Sequence, residues 1–322
     1  MDGKVAATFR SRPPLQSRGA ERRPLSWSIP ARAVFAALAI HTLWGGNPVA
    51  VKLGLEAFPP LWSGFLRFAL GCLCVAAWAV IARIPLWPVR EEWPALLSTA
   101  VLFTVQVALM NIGFSGTSGA KGSVLIATNP LFGVLFAHFL VPGDRVGASR
   151  AAGVTIAFAG TALVLVRGAP GGAEGWGAST GDWIVLASAC LLGLRLALSG
   201  RFLRRVNEVR LNFWMMLLSL PLFAAGGLAW EAIRWEKIGA VPLAGILFQG
   251  VVVAGLAFTV NFYLMRRYPP SVMISFNFVA PVAGVLLSML LLGDSLTAGL
   301  LGGMALVALG LALIARRPRP TL

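Results

Sequence analysis

Acid is what this sequence has least of. Only 12 Asp and Glu occur among 322 residues, beside 2 His, 3 Cys and 2 Tyr, and charged residues of both signs make up 12%. Soluble domains carry about 25% charged residues, so this chain lacks the charge to cover a soluble surface or to keep itself disordered. The scarcity also removes chemistries. Cys72, Cys74 and Cys190 with His41 and His138 give neither a spaced zinc site nor a disulfide framework. No HExxH, GxSxG or Walker A sequence is present; Gly119-Ala120-Lys121-Gly122-Ser123 lacks the G-K-S/T order that a phosphate loop requires. No phosphate, metal or redox cofactor is expected.

What the chain has in quantity is apolar length. It is 57% hydrophobic with a mean hydropathy of +0.80. A transmembrane helix needs about 20 mostly apolar residues, and ten such stretches can be marked: 33–51, 60–82, 94–114, 122–141, 148–166, 183–200, 211–230, 241–265, 271–292 and 297–315. None contains Asp or Glu. The expectation is an all-α integral membrane protein with no room for a large soluble domain. Residues 1–32 are basic and proline-containing, which reads as a disordered cytoplasmic tail or an over-long start-codon assignment; 316–322 form a second short tail.

The 27 Lys and Arg leave a net charge of +15, which by itself suggests nucleic acid. Their placement gives another explanation. With the N-terminus cytoplasmic, the inner loops and C-terminus hold 13 basic residues against five outside (Lys52, Lys121, Arg167, Arg234, Lys237), even without the tail. That bias is the positive-inside pattern. Both termini are therefore expected in the cytoplasm, with no nucleic-acid partner.

The chain also repeats itself. Spans four and five align with nine and ten: Pro130 falls on Pro281 and Gly133 on Gly284, and after a one-residue slip Asp144 falls on Asp294, Gly153 on Gly303 and Gly160 on Gly310. The organisation read from this is a five-helix repeat over 33–166, an external linker at 167–182 and a second five-helix repeat over 183–315. Five crossings are an odd number, so the second copy enters from the opposite side. Ten transmembrane helices as two inverted repeats are a recurrent secondary-transporter plan, with the site near the midplane where the halves meet.

Several motifs resemble one family. Trp44-Gly45-Gly46-Asn47-Pro48-Val49-Ala50-Val51-Lys52 is similar to the opening signature of the EamA branch of the drug/metabolite transporters, and Phe65-Leu66-Arg67-Phe68 to its second-span arginine motif. Residues 123–132 and 278–294 resemble its fourth and ninth spans, although many members have Glu where Asp144 and Asp294 stand. The likeness covers about residues 33–315. It implies the inverted-repeat fold and export of amino acids, other metabolites or drugs.

Arg67 is the sharpest candidate. A charge at the bilayer centre costs about 2.5–3.5 kcal/mol on the insertion scale and marks a functional site by default. It lies about 10 Å into its span at ~1.5 Å per residue, so it either snorkels outward, binds a substrate carboxylate, or holds carbonyls of a partner span. Arg195, nearer the cytoplasmic end of span six, is expected to snorkel. Lys52 reads as an external gate charge or an interfacial anchor. Pro48, Pro130 and Pro281 lie within spans and are expected to kink them, shaping the cavity. Of the intramembrane amides (Asn47, Gln106, Asn111, Asn129, Gln249, Asn261 and Asn277), each either orients a substrate or hydrogen-bonds across helices. Trp44, Phe276 and Phe278 could form apolar walls. Gly153 with Ala157 and Gly299 with Gly303 are spaced for close helix approach within one protomer. His41 and His138 are the only groups titrating near neutrality, so coupling to protons stays open beside facilitated diffusion.

The function read from these features is a secondary transporter, an exporter of small organic metabolites such as amino acids, in the cytoplasmic (inner) membrane and with no enzymatic activity. The alternatives are multidrug or nucleoside efflux, an intramembrane enzyme, for which paired carboxylates are lacking, and a non-transporting scaffold. The orientation is checked with fusion reporters: positions 116, 172 and 235 should report outside, and 86, 207 and 322 inside. A reversed pattern would refute it.

Overall fold

A computed structural model describes residues 30–140, 148–167, 178–202, 206–267, 276 and 279–315. Among the described residues the fold is helical, with no strand. The helices are α1 (Ala31–Gly54), α2 (Pro60–Ile81), α3 (Trp93–Ser115), α4 (Gly119–Ile126), α5 (Asn129–Leu140), α6 (Ala148–Arg167), α7 (Thr180–Phe202), α8 (Glu208–Trp230) and α9 (Ala240–Leu247). A π-helical stretch, Phe248–Ala257, joins α9 to α10 (Phe258–Arg267); α11 (Val279–Leu292) and α12 (Ala298–Ala315) follow.

Among the described residues, seven helical stretches are long and apolar enough to cross a membrane, and three apolar helices, 151–166, 279–292 and 298–313, are shorter. Their outer faces carry exposed Phe35, Leu73, Val80, Ile81, Phe139 and Leu290. Exposed tryptophans stand at the helix ends, Trp183, Trp230 and Trp235 on one side and Trp87 on the other. Aromatic belts of this kind mark the two edges of a bilayer.

The fourth predicted span differs from expectation. It is broken at Ala127 and Thr128 into α4 and α5 rather than kinked within one helix. Pro130 therefore sits in the first turn of α5, where its missing N–H costs no intrahelical bond. Pro281 is likewise the third residue of the described α11. Pro48 does lie inside a continuous α1.

Helices pack in sets that exchange early and late segments. α1 lies on α11 and α7 on α5; α2 lies on the π-helical stretch and α3 on α8; α1 lies on α9 and α7 on α3; α2 meets α8, and α6 meets α12. Glycines make the approach possible. A methyl at Gly45 would fall 2.5 Å from the Ala280 carbonyl oxygen across the α1–α11 crossing. One at Gly193 would fall 2.6 Å from the Gly133 nitrogen and 2.7 Å from the Asn129 oxygen across α5–α7. In hydrocarbon such contact supplies the dispersion that holds helices together.

The α6–α12 crossing gives a direct test. A side chain at Gly160 would meet the Gly303 oxygen at 2.7 Å and the Val307 nitrogen at 2.8 Å, whereas one at Gly302 meets only the tip of Leu163 at 3.3 Å. Gly160→Val should destabilise the protein by about 1–3 kcal/mol, the range for overpacking. Gly302→Ala should not. Thermal melting of the detergent-solubilised protein, followed by loss of the monodisperse peak, checks the contrast.

Candidate functional site

Among the described residues, a dense set of polar contacts ties the chain together at the end of the bundle where α1, α3, α8 and α11 finish and α2, α4 and α7 begin. α2 opens with Pro60, so its first free donors are the N–H groups of Leu61 and Trp62. Both point at the Glu231 carboxylate at the end of α8, at 2.9–3.1 Å. α4 is capped in the same way: Ala120 N–H donates to Asp294 Oδ2 at 2.8 Å. Gly293, at φ +71°, ends α11 in the left-handed region and turns Asp294 back, where Ser288 Oγ also donates to it. A carboxylate at a helix N-terminus meets free donors and the positive end of the helix dipole.

Two lysines complete this end. Lys52 Nζ donates to the carbonyls of Phe114 at 3.2 Å and Thr117 at 2.6 Å, closing the C-terminus of α3. Lys121, expected in an external loop, is instead buried in α4, where it pairs with Asp182 Oδ2 at 2.6 Å. Asp182 is fully buried, accepts from Ser179 N–H at 2.7 Å, and receives the Thr117 hydroxyl. Arg234 reaches the carbonyls of Leu55 and Glu56 at 3.1 Å. At the opposite end Arg210 Nη1 donates to both Glu92 carboxylate oxygens at 2.7–2.8 Å, and Trp214 Nε1 donates to the Leu86 oxygen at 2.7 Å.

Between the two ends lies the centre. Arg67 does not snorkel: it is 5% exposed, with Nε and Nη1 buried and without a hydrogen-bond partner. Arg195 also departs from expectation, at 9% exposed, with Nη1 3.5 Å from Met215 Sδ and Nε unpartnered. Each guanidinium lies over an aromatic ring, Arg67 Cζ 4.9 Å from the Phe68 centroid and Arg195 Cζ 5.2 Å from that of Phe103. The two rings touch at 4.6 Å between centroids, and Phe223 stacks on Phe68 at 5.9 Å. The two guanidiniums thus flank one aromatic pair.

The other candidates divide. Gln106 Nε2 donates to Ser188 Oγ at 3.0 Å, which donates back to the Gln106 carbonyl at 2.8 Å, so Gln106 stitches α3 to α7. Asn111 Nδ2 holds the Pro60 oxygen at 2.8 Å, leaving Oδ1 buried and unpartnered. Asn129 donates to the Ile126 carbonyl at 2.9 Å across the break before α5. In α1, Trp44 Nε1 and Asn47 Oδ1 are buried without partners. Trp44 belongs to an aromatic group with His41 at 5.0 Å and Phe258 at 5.6 Å; Phe276 lies 6.2 Å from His41. Asn277, Phe278 and Asp144 lie outside the described residues. Sequence reasoning passed over Lys121, Asp182 and Glu231 because each sits at a span edge, where a charge is ordinary. Only Asp294 carried a signal, its repeat with Asp144.

The comparison with known proteins decides the class. The model of the EamA-like transporter family matches twice, over residues 31–166 and 179–316. The chain belongs to the EamA-like transporter family. It is 26% identical over 272 residues to the uncharacterized inner membrane transporter YedA of Escherichia coli, covering 82% of this chain and 84% of that protein. With the uncharacterized transporter YoaV of Bacillus subtilis it shares 21% identity, covering 87% and 95%. A probable terminal-alkyne amino-acid exporter of Streptantibioticus cattleyicolor is 26% identical, covering 89% and 94%. A solved crystal structure matches with a TM-score of 0.63 at 22% identity, over 88% of this chain and 96% of that one, which supports the fold. This EamA-family chain is thus a multi-pass membrane transporter.

Breaking the Lys121–Asp182 pair from one side leaves a fully buried carboxylate, which typically costs about 3–5 kcal/mol. Lys121→Met should therefore lower the melting temperature strongly. Lys121→Met combined with Asp182→Leu should recover most of the loss. Melting of the four-member mutant cycle in detergent measures this, and equal losses in the single and double variants would refute the pairing.

Proposed function

We propose that this transporter works by alternating access, with ten spans in two inverted five-helix repeats and both termini in the cytoplasm. Its substrates are small organic metabolites such as amino acids, and its direction is export. The observation that carries the reading is the matched pair of glycine crossings. Gly45 and Gly284 join α1 to α11, and Gly193 and Gly133 join α7 to α5. Gly133 and Gly284 are the residues that the internal repeat superposes, so each half packs its first helix on the other half's fourth. Two near-equivalent halves packed in this way can exchange conformations by rocking about the centre.

The remaining features agree with that reading. The two family matches divide the chain where the repeat does. The ionic contacts at the first end join the two matched segments, Lys121 to Asp182, Ala120 to Asp294 and Leu61 to Glu231. They form a closed gate, external in the proposed orientation. Export of amino acids is supported by the Streptantibioticus relative, a probable terminal-alkyne amino-acid exporter.

Purified protein in liposomes should exchange a labelled amino acid without nucleotide. Arg67→Ala and Asn47→Ala should each slow exchange about tenfold or more. Cysteines placed at Glu56 and Arg83 should gain and lose reagent access in opposite senses when substrate is added. Folded protein that exchanges nothing across an amino-acid, nucleoside and drug panel would overturn the proposal.

A further inference from the structure

The central arginines pose a problem that the transporter reading leaves open. Arg67 comes from the first matched segment and Arg195 from the second, and the rings they lie over, Phe68 and Phe103, are in contact at 4.6 Å between centroids, so charges from both segments flank one buried aromatic pair. Arg67 Cζ lies over the Phe68 ring and Arg195 Cζ over the Phe103 ring, and a cation over a ring is attracted to it. That attraction gives the N–H donors no hydrogen-bond acceptor. Arg67 Nε and Nη1 and Arg195 Nε are such donors, each buried and unpartnered. A guanidinium is all donor and does not deprotonate, so only an acceptor brought from outside can satisfy them.

Four of the described carboxylates are committed elsewhere. Asp182 is held by Lys121, Glu92 by Arg210, Asp294 by Ala120 and Ser288, and Glu231 by Leu61 and Trp62. None of these neutralises the pair. A buried pair of like charges in hydrocarbon is retained for function.

We propose that Arg67 and Arg195 together bind a carboxylate of the transported substrate, and that the substrate class is organic anions rather than cationic or neutral drugs. The proposal rests on the transporter reading above. A carboxylate offers two oxygens with about four acceptor positions, enough to bridge the free donors of both guanidiniums. Both halves would then hold the same anion, one arginine each, so binding couples to their relative position. A second negative group on the substrate would neutralise the second arginine, which orders the ligands: dicarboxylates bind better than monocarboxylates, and cations are repelled. A free anion and an anionic lipid headgroup share this chemistry, and the experiment separates them.

The test is ligand-dependent melting and calorimetric titration of the full chain in nanodiscs of zwitterionic phosphatidylcholine. Probes are acetate, succinate, glutamate, lysine and tetraphenylphosphonium, all at constant ionic strength. Succinate and glutamate should raise the melting temperature, acetate less, and the two cations not at all. Arg67→Gln or Arg195→Gln should weaken succinate roughly 10- to 100-fold, the range for losing a charge-assisted hydrogen bond. Arg67→Lys should recover only part, keeping the charge without the planar fork.

A separate readout guards against variants that simply fold badly. Removing one of two repelling charges should leave anion-free Arg195→Met at least as stable as the wild type, with its anion response gone. A structural arginine would instead lower that baseline. Phosphatidylglycerol nanodiscs that already show the full stabilisation and abolish the succinate effect would assign the site to a lipid headgroup and overturn the substrate claim. No shift with any carboxylate would overturn the anion site while leaving transport to be judged by exchange. Anion binding without exchange would keep the site and reject the transport reading.

Discussion

In hydrocarbon a polar group finds no water, and every donor, acceptor and charge that enters must be met from within the bundle. That constraint organises this molecule. The free N–H groups that start α2 and α4 are met by Glu231 and Asp294, and the carbonyls that end α3 by Lys52. Each of these partners comes from a helix distant in sequence, so satisfying a helix end also ties two helices together. With 12 acidic residues in the whole chain, the carboxylates spent on these ends are not available at the centre, where Arg67 Nε and Nη1 and Arg195 Nε stand without a hydrogen-bond partner among the described residues.

The same constraint explains the glycines. Helices whose apolar faces are as much at home in lipid as against each other gain little by hydrophobic association. They must touch closely, backbone to backbone. Gly45 on Ala280, Gly193 on Gly133 and Gly160 on Gly303 are the places where they do. The π-helical stretch belongs to this set: Gly250 lies against the Arg67 carbonyl, where an added methyl would fall 2.9 Å away. The backbone bearing Arg67 is thereby held from behind.

Much of the architecture was legible in the sequence, because long apolar runs and an internal repeat are signals of span and symmetry. Positions 133 and 284 were matched by alignment alone, and they proved to make matching crossings. The break before α5 was not legible: Pro130 marks a disturbance, and a proline reads alike as a mid-helix kink or a first turn. Charges were the least legible. Arg67 and Arg195 look alike in sequence, as cations a few turns from a membrane face, and whether one snorkels depends on what surrounds it in three dimensions. Lys121 and Asp182 are far apart in the chain and each sits at a span edge, so only the folded structure shows that they neutralise one another.

The latched end has a further consequence. Its contacts are ammonium, carboxylate and exposed helix termini, groups that water solvates well. Parting an apolar seam of the same extent would expose hydrocarbon surface; parting this one exchanges protein partners for hydration. The joined and separated forms of that end can therefore lie close in free energy, although the joined form contains strong individual bonds. A seam built of charge is held firmly while dry and released readily once wet, so in the proposed rocking cycle the entry of the first few waters is the step that would govern its opening.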